Sequence, residues 1–184
     1  MKRLLILFLL LAKFSFGQEQ IDWTAYTQAW VIEKQVLISQ SQYLSKFKGN
    51  DVRLLFAEDP YLKTENGNKY IKAFLANYSK DSVSVPRSDA TIAKVITEVL
   101  LKNQWSLFQK KIGASCGNSY WTMVLAPGHF VELQIEDKTE GSVKVPFRVS
   151  LKTDKLSITS NMIFIYASEK RLESVGKEIK NIVL

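Results

Sequence analysis

From Val143 to Lys152 the chain alternates strictly: Val143, Val145, Phe147, Val149 and Leu151 are apolar, and Lys144, Pro146, Arg148, Ser150 and Lys152 are not. A period of two puts the apolar set on one face of a strand and the rest towards water. Pro146 offers no N–H to a ladder, which predicts an edge position or a bulge there. Val131, Leu133 and Ile135 alternate in the same way with Glu132, Gln134 and Glu136, a polar trio that reads as a solvated strand face. Between these strands, Asp137 to Gly141 is polar and ends in glycine, which predicts a hairpin.

Further strands follow from the same pattern. Trp121, Met123 and Leu125 lie on one face of a strand over 119–126, and Pro127-Gly128 reads as a hairpin turn into His129 and the next strand. Val52 to Phe56 and Lys69 to Ala76 are strands on either side of the turn residues Glu65-Asn66-Gly67-Asn68. Val83 and Val85 alternate with serines before Pro86. Thr153-Asp154-Lys155 separates the Val143 strand from Leu156–Ile158, and an apolar run follows from Met162 to Tyr166. Ile92, Val95, Ile96, Val99 and Leu100 fit helical spacing with Ser88 as a cap, yet the stretch is rich in Ile, Val and Thr, which pack well on a pleated surface; the reading is a strand. Residues 21–47 have no clean period, and their structure is left open. Leu172, Val175, Ile179 and Ile182 are spaced for a short amphipathic helix, weakened by Gly176 and expected to dock on the sandwich.

Short strands separated by turn chemistry imply an all-β, two-sheet antiparallel sandwich with a short C-terminal helix. Leu75-Ala-Asn77-Tyr-Ser79 followed by Val83-Ser-Val85-Pro86, the Leu125-Ala-Pro127-Gly128 turn and the Phe147–Leu151 strand resemble elements of immunoglobulin-like sandwiches in exported bacterial proteins. The resemblance covers about residues 50 to 168. It implies an immunoglobulin-like fold and assigns no catalytic residue.

The first residues belong to no sandwich. Met1-Lys2-Arg3 precedes an apolar block from Leu4 to Ala12, too short for a bilayer-spanning helix, and Ser15-Phe16-Gly17 places small residues for a peptidase. The expected organisation is a signal peptide over 1–17, an N-terminal segment over 18–49, the sandwich over 50–168 and a tail over 169–184. Export places the protein in the periplasm or outside the cell, with no firm membrane insertion after cleavage. The leader holds three of the seven net positive charges, so four remain on the mature chain. Those cations are scattered among acids rather than striped, which argues against nucleic acid as a partner. A hydrophobic content of 46% argues against disorder over most of the length.

Candidate chemistry is sparse. Gly113-Ala114-Ser115-Cys116-Gly117 matches the G-x-S-x-G nucleophile elbow, but that motif needs a strand–turn–helix followed by an acid and then a histidine. Here a predicted strand follows, and the sole histidine, His129, arrives with no Asp or Glu in 116–128. A Cys116–His129 dyad fails on the strand geometry, and a small secreted hydrolase is a remote alternative. Cys116 is the only cysteine, reads as a buried small hydrophobe, and with one histidine falls short of a zinc ligand set. No metal, cofactor or catalytic residue is assigned. The stretch from Gly113 to Trp121 is the most unusual loop, and Ser115, Asn118, Tyr120 and Trp121 are the candidate partner-contact residues. The function expected is a non-catalytic interaction or structural module with an unknown protein partner; the alternative is carbohydrate binding through exposed aromatics.

Overall fold

The computed structural model describes residues 22–113, 119–153 and 156–182. Among them thirteen strands follow in chain order: β1 (Tyr26–Thr27), β2 (Ala29–Leu37), β3 (Val52–Lys63), β4 (Lys69–Asn77), β5 (Val83–Ser88), β6 (Thr91–Ile92), β7 (Val95–Leu101), β8 (Gln104–Lys111), β9 (Tyr120–Leu125), β10 (His129–Glu136), β11 (Val143–Lys152), β12 (Ser157–Thr159) and β13 (Ile163–Ala167), before the helix α1 (Glu169–Ile182). They form two sheets. One runs β1-β8-β7-β11, with β12 and β13 laid end to end along the far side of β11; the other runs β3-β4-β10-β2-β6-β5-β9. Every pairing is antiparallel except β1 with β8.

The two sheets bury their facing sides against each other, as the alternation requires. Val145, Phe147, Val149 and Leu151 point inward from β11, and Val131, Leu133 and Ile135 from β10. Phe56 of one sheet and Phe147 of the other meet at 6.0 Å between ring centroids and are almost wholly buried. Burial of each such ring contributes about 1.5–3 kcal/mol. The segment from Ile92 to Leu100 is extended, as expected, but as two strands in different sheets: Ile92 ends β6 of the larger sheet, and Val95 to Leu100 lie in β7. Its turn into β8 has both central residues, Lys102 and Asn103, at positive φ (50° and 65°), the backbone of a type I′ hairpin. The tail is the helix α1, and Val175 joins the main core from it.

Several expectations are corrected. The sandwich is not confined to 50–168: β2 lies between β10 and β6 inside the larger sheet, so part of the 18–49 segment is central to the fold. Residues 38–47 then fold back over the outer side of that sheet, where Ile38 and Leu44 pack with Leu55, Ala76 and Phe130. Pro127-Gly128 does turn the chain, with Gly128 at φ 67°, but β9 and β10 do not pair; β9 pairs β5, and β10 pairs β2 and β4. Asp137 to Gly141 is likewise no hairpin loop, because β10 and β11 belong to different sheets. Pro146 sits in an interior strand without a bulge. The ladder to β7 begins only at Phe147, so the proline's missing N–H interrupts nothing on that side.

Candidate contact surfaces

Ser115, Cys116 and Asn118 lie outside the described residues, as does most of the Gly113–Gly117 motif. His129 opens β10 opposite Leu37, with Nδ1 2.8 Å from the Pro127 carbonyl oxygen. Tyr120 and Trp121 begin β9, the edge strand of the larger sheet. Neighbours in a strand point to opposite sides, so these two exposed rings do not form one flat platform. Trp121 donates from Nε1 to the Asp89 carbonyl at 3.1 Å and stacks 4.8 Å from the Arg87 guanidinium. Arg87 is buried beneath it and donates from Nε to the Thr91 carbonyl at 3.0 Å. Trp121 thus roofs a buried arginine while nearly half of its own surface stays open.

Beside that roof lies a hollow of about 260 Å³ whose lining includes Gln28, Trp30, Asp89, Lys111 and Gly113. Asp89 adopts φ 50°, a left-handed conformation that aspartate tolerates better than most residues. Lys111 donates to the Ile112 carbonyl at 3.0 Å; burial draws its amine below the ordinary lysine range, and the Asp89 charge opposes that shift. An indole, an amide, an amine and a carboxylate around a hollow this small suit a hydroxyl-rich ligand.

A second surface forms where β3 meets β13. The β3–β4 ladder slips between Phe56 and Tyr61, and Pro60 occupies the irregular stretch of this edge strand. The slip carries Tyr61 over to β13, where its hydroxyl donates to the Phe164 carbonyl. Burial first, then the Asp137 and Tyr166 charges, push the Tyr61 hydroxyl above its ordinary range, which keeps it a donor. That carbonyl is available for a geometric reason. Phe164 faces Pro146 across the β11–β13 ladder, and with no N–H on the proline the two form a non-hydrogen-bonded pair whose polar groups point away from each other. Phe164 and Tyr166 share one strand face, at 43% and 56% exposure, and Tyr61 beside them is 52% exposed. Lys144 lies 4.7 Å from the Phe164 ring. With Pro60 and Ile163 these residues line a shallow hollow of about 580 Å³.

Only Tyr120 and Trp121 of the loop residues singled out by sequence can be placed, and neither belongs to this aromatic surface. Its signal was present in Met162–Tyr166: an uninterrupted apolar run in a period-two element must either be covered on both faces or leave one face open. Among the described residues, no group of three or more His, Cys, Asp and Glu gathers to hold a metal. No protein-family model matches the chain, and neither a curated protein nor a solved structure matches it.

Proposed function

We propose that this is an exported, non-catalytic interaction module that meets a protein partner through Tyr61, Phe164 and Tyr166. One observation carries the reading: three exposed aromatic rings from two distant strands converge around a shallow hollow, next to Lys144. Aromatic rings of this kind supply large contact area at small entropic cost and anchor interfaces. The partner surface that fits them presents aliphatic or aromatic side chains and a carboxylate for Lys144. Export to the periplasm or beyond rests on the leader pattern of residues 1–17. The resemblance to immunoglobulin-like exported bacterial proteins agrees with the two-sheet sandwich and with a role exercised by contact.

The test is photo-crosslinking in an exporting host. A photoreactive residue in place of the exposed Met162 is expected to give a discrete protein adduct, lost when Phe164→Ser and Tyr166→Ser are combined. No discrete adduct, or one indifferent to the double substitution, contradicts the proposal.

Carbohydrate binding is the second reading, favoured by the hollow of Trp30, Asp89 and Lys111. It requires saturable quenching of tryptophan fluorescence by a neutral hexose, weakened in Asp89→Asn, which keeps a residue suited to the left-handed backbone.

A further inference from the structure

The start of α1 brings a helix N-terminus and a buried cation together. Ser168 caps the helix: its hydroxyl oxygen accepts from the Arg171 N–H at 3.3 Å, and its carbonyl accepts from the Leu172 N–H at 3.1 Å. A helix start carries roughly half a positive charge, so the first turn favours acids. Here the first turn holds the acid Glu169 and, facing inward, Arg171, only 8% exposed. The guanidinium donates from Nη2 to the Phe108 carbonyl and lies 5.3 Å from the Phe108 ring centre. Its Nε is buried with no acceptor.

No carboxylate among the described residues lies within 4.0 Å of it, and a buried charge with no counter-charge beside it is costly. Asp22 is held below the ordinary carboxylate range mainly by its hydrogen bond from Thr24, with Arg171 adding only at longer range. Beside the guanidinium is a pocket of about 270 Å³, lined by Arg171, Ser168, Phe108, Thr24, Lys138 and residues of the β10–β11 crossing. Ser168 accepts from the backbone and keeps its own hydrogen to donate. Lys138 lies 2.7 Å from Glu136, so its charge is already met and Arg171 is the cation left to pair. Glu140, an exposed residue of the lining, disfavours bulky polyanions.

We infer that this pocket binds a small oxyanion, a carboxylate or phosphate group paired with the Arg171 guanidinium at the start of α1. The group supplies the negative charge that the buried arginine lacks, and Ser168 donates to a second oxygen. This site is independent of the aromatic surface and of the partner proposed there.

The probes are sodium phosphate and sodium acetate, titrated into the mature chain at ionic strength held constant with sodium chloride. The readout is the ¹⁵N resonance of the Arg171 Nε–H. A saturable shift with phosphate identifies a phosphoryl ligand, and one with acetate a carboxylate. In Arg171→Met the saturable response of neighbouring amides disappears, and Ser168→Ala weakens it several-fold. Shifts that grow linearly and match those from chloride alone overturn the inference. So does saturation that persists in Arg171→Met. Should that variant fail to fold, the parent's own Nε–H decides, since it reports on the guanidinium directly.

Discussion

Arg148 and Glu98 face each other across the β11–β7 ladder, with Arg148 Nε 3.0 Å from Glu98 Oε2. The Ser150 hydroxyl donates to the same oxygen at 2.7 Å, and the guanidinium lies 4.1 Å from the Trp105 ring centre. Burial pushes the Glu98 carboxyl up, but the bonds from Arg148 and Ser150 and the charges of Arg148 and Lys152 outweigh it, so the carboxyl ends below its ordinary 4.5. A depressed folded value stabilises the native state above the unfolded value, and that contribution is lost as pH falls through the folded one. The parent therefore loses stability below about pH 4.5. Glu98→Gln is expected to cost about 1–3 kcal/mol at pH 7, with the gap narrowing in acid. Urea midpoints of both proteins across pH 3 to 7, in roughly half-unit steps, test this; a constant gap contradicts it.

Asn77, fully buried at the end of β4, ties that strand to the β9–β10 turn. Its Nδ2 donates to the Asp81 and Leu125 carbonyls at 2.8 and 3.1 Å, and its Oδ1 accepts from the Ser79 backbone and hydroxyl. Asn77→Ala strands those groups and is expected to cost about 2–3 kcal/mol. Chemical denaturation measures it, and a change below about 0.5 kcal/mol contradicts the structural role given to this asparagine.

Two glycines respond oppositely to the same change. A Cβ on Gly141 overlaps the Ala167 carbonyl and the Ser168 nitrogen, so Gly141→Ala is expected to destabilise by about 1–3 kcal/mol. Gly176 in α1 has open space around it, and Gly176→Ala is expected to stabilise by about 0.5–1 kcal/mol. Thermal unfolding of both variants checks the signs.

The β7–β8 turn gives a third test of backbone conformation. Lys102→Asn with Asn103→Gly supplies the residues that a type I′ turn prefers, and the pair is expected to stabilise by about 0.5–1 kcal/mol. A loss of stability contradicts the hairpin and revives the helical spacing of Ile92 to Leu100.

The strands were legible wherever one face is buried and the other wet, as in β10 and β11, because a period of two is a local consequence of that burial. Their partners were not. Turn residues such as Pro127-Gly128 report that the chain reverses, not which free edge the next strand takes, and β10 finds both its edges filled by β2 and β4. β2 itself was hidden because Trp30 and Ile32 put apolar side chains on its exposed face, blurring the alternation. The aromatic surface was hidden for a different reason: Tyr61 reaches Phe164 only through the irregularity in β3, and no local pattern links positions so far apart.

Hydrogen exchange of the protein, alone and with the partner recovered through the Met162 adduct, tests the central claim most directly. The account predicts that the partner protects the backbone of β13 and the Tyr61 end of β3 and leaves β9 unchanged. Protection confined to β9 and the start of β10, with β13 exchanging as in the free protein, contradicts it.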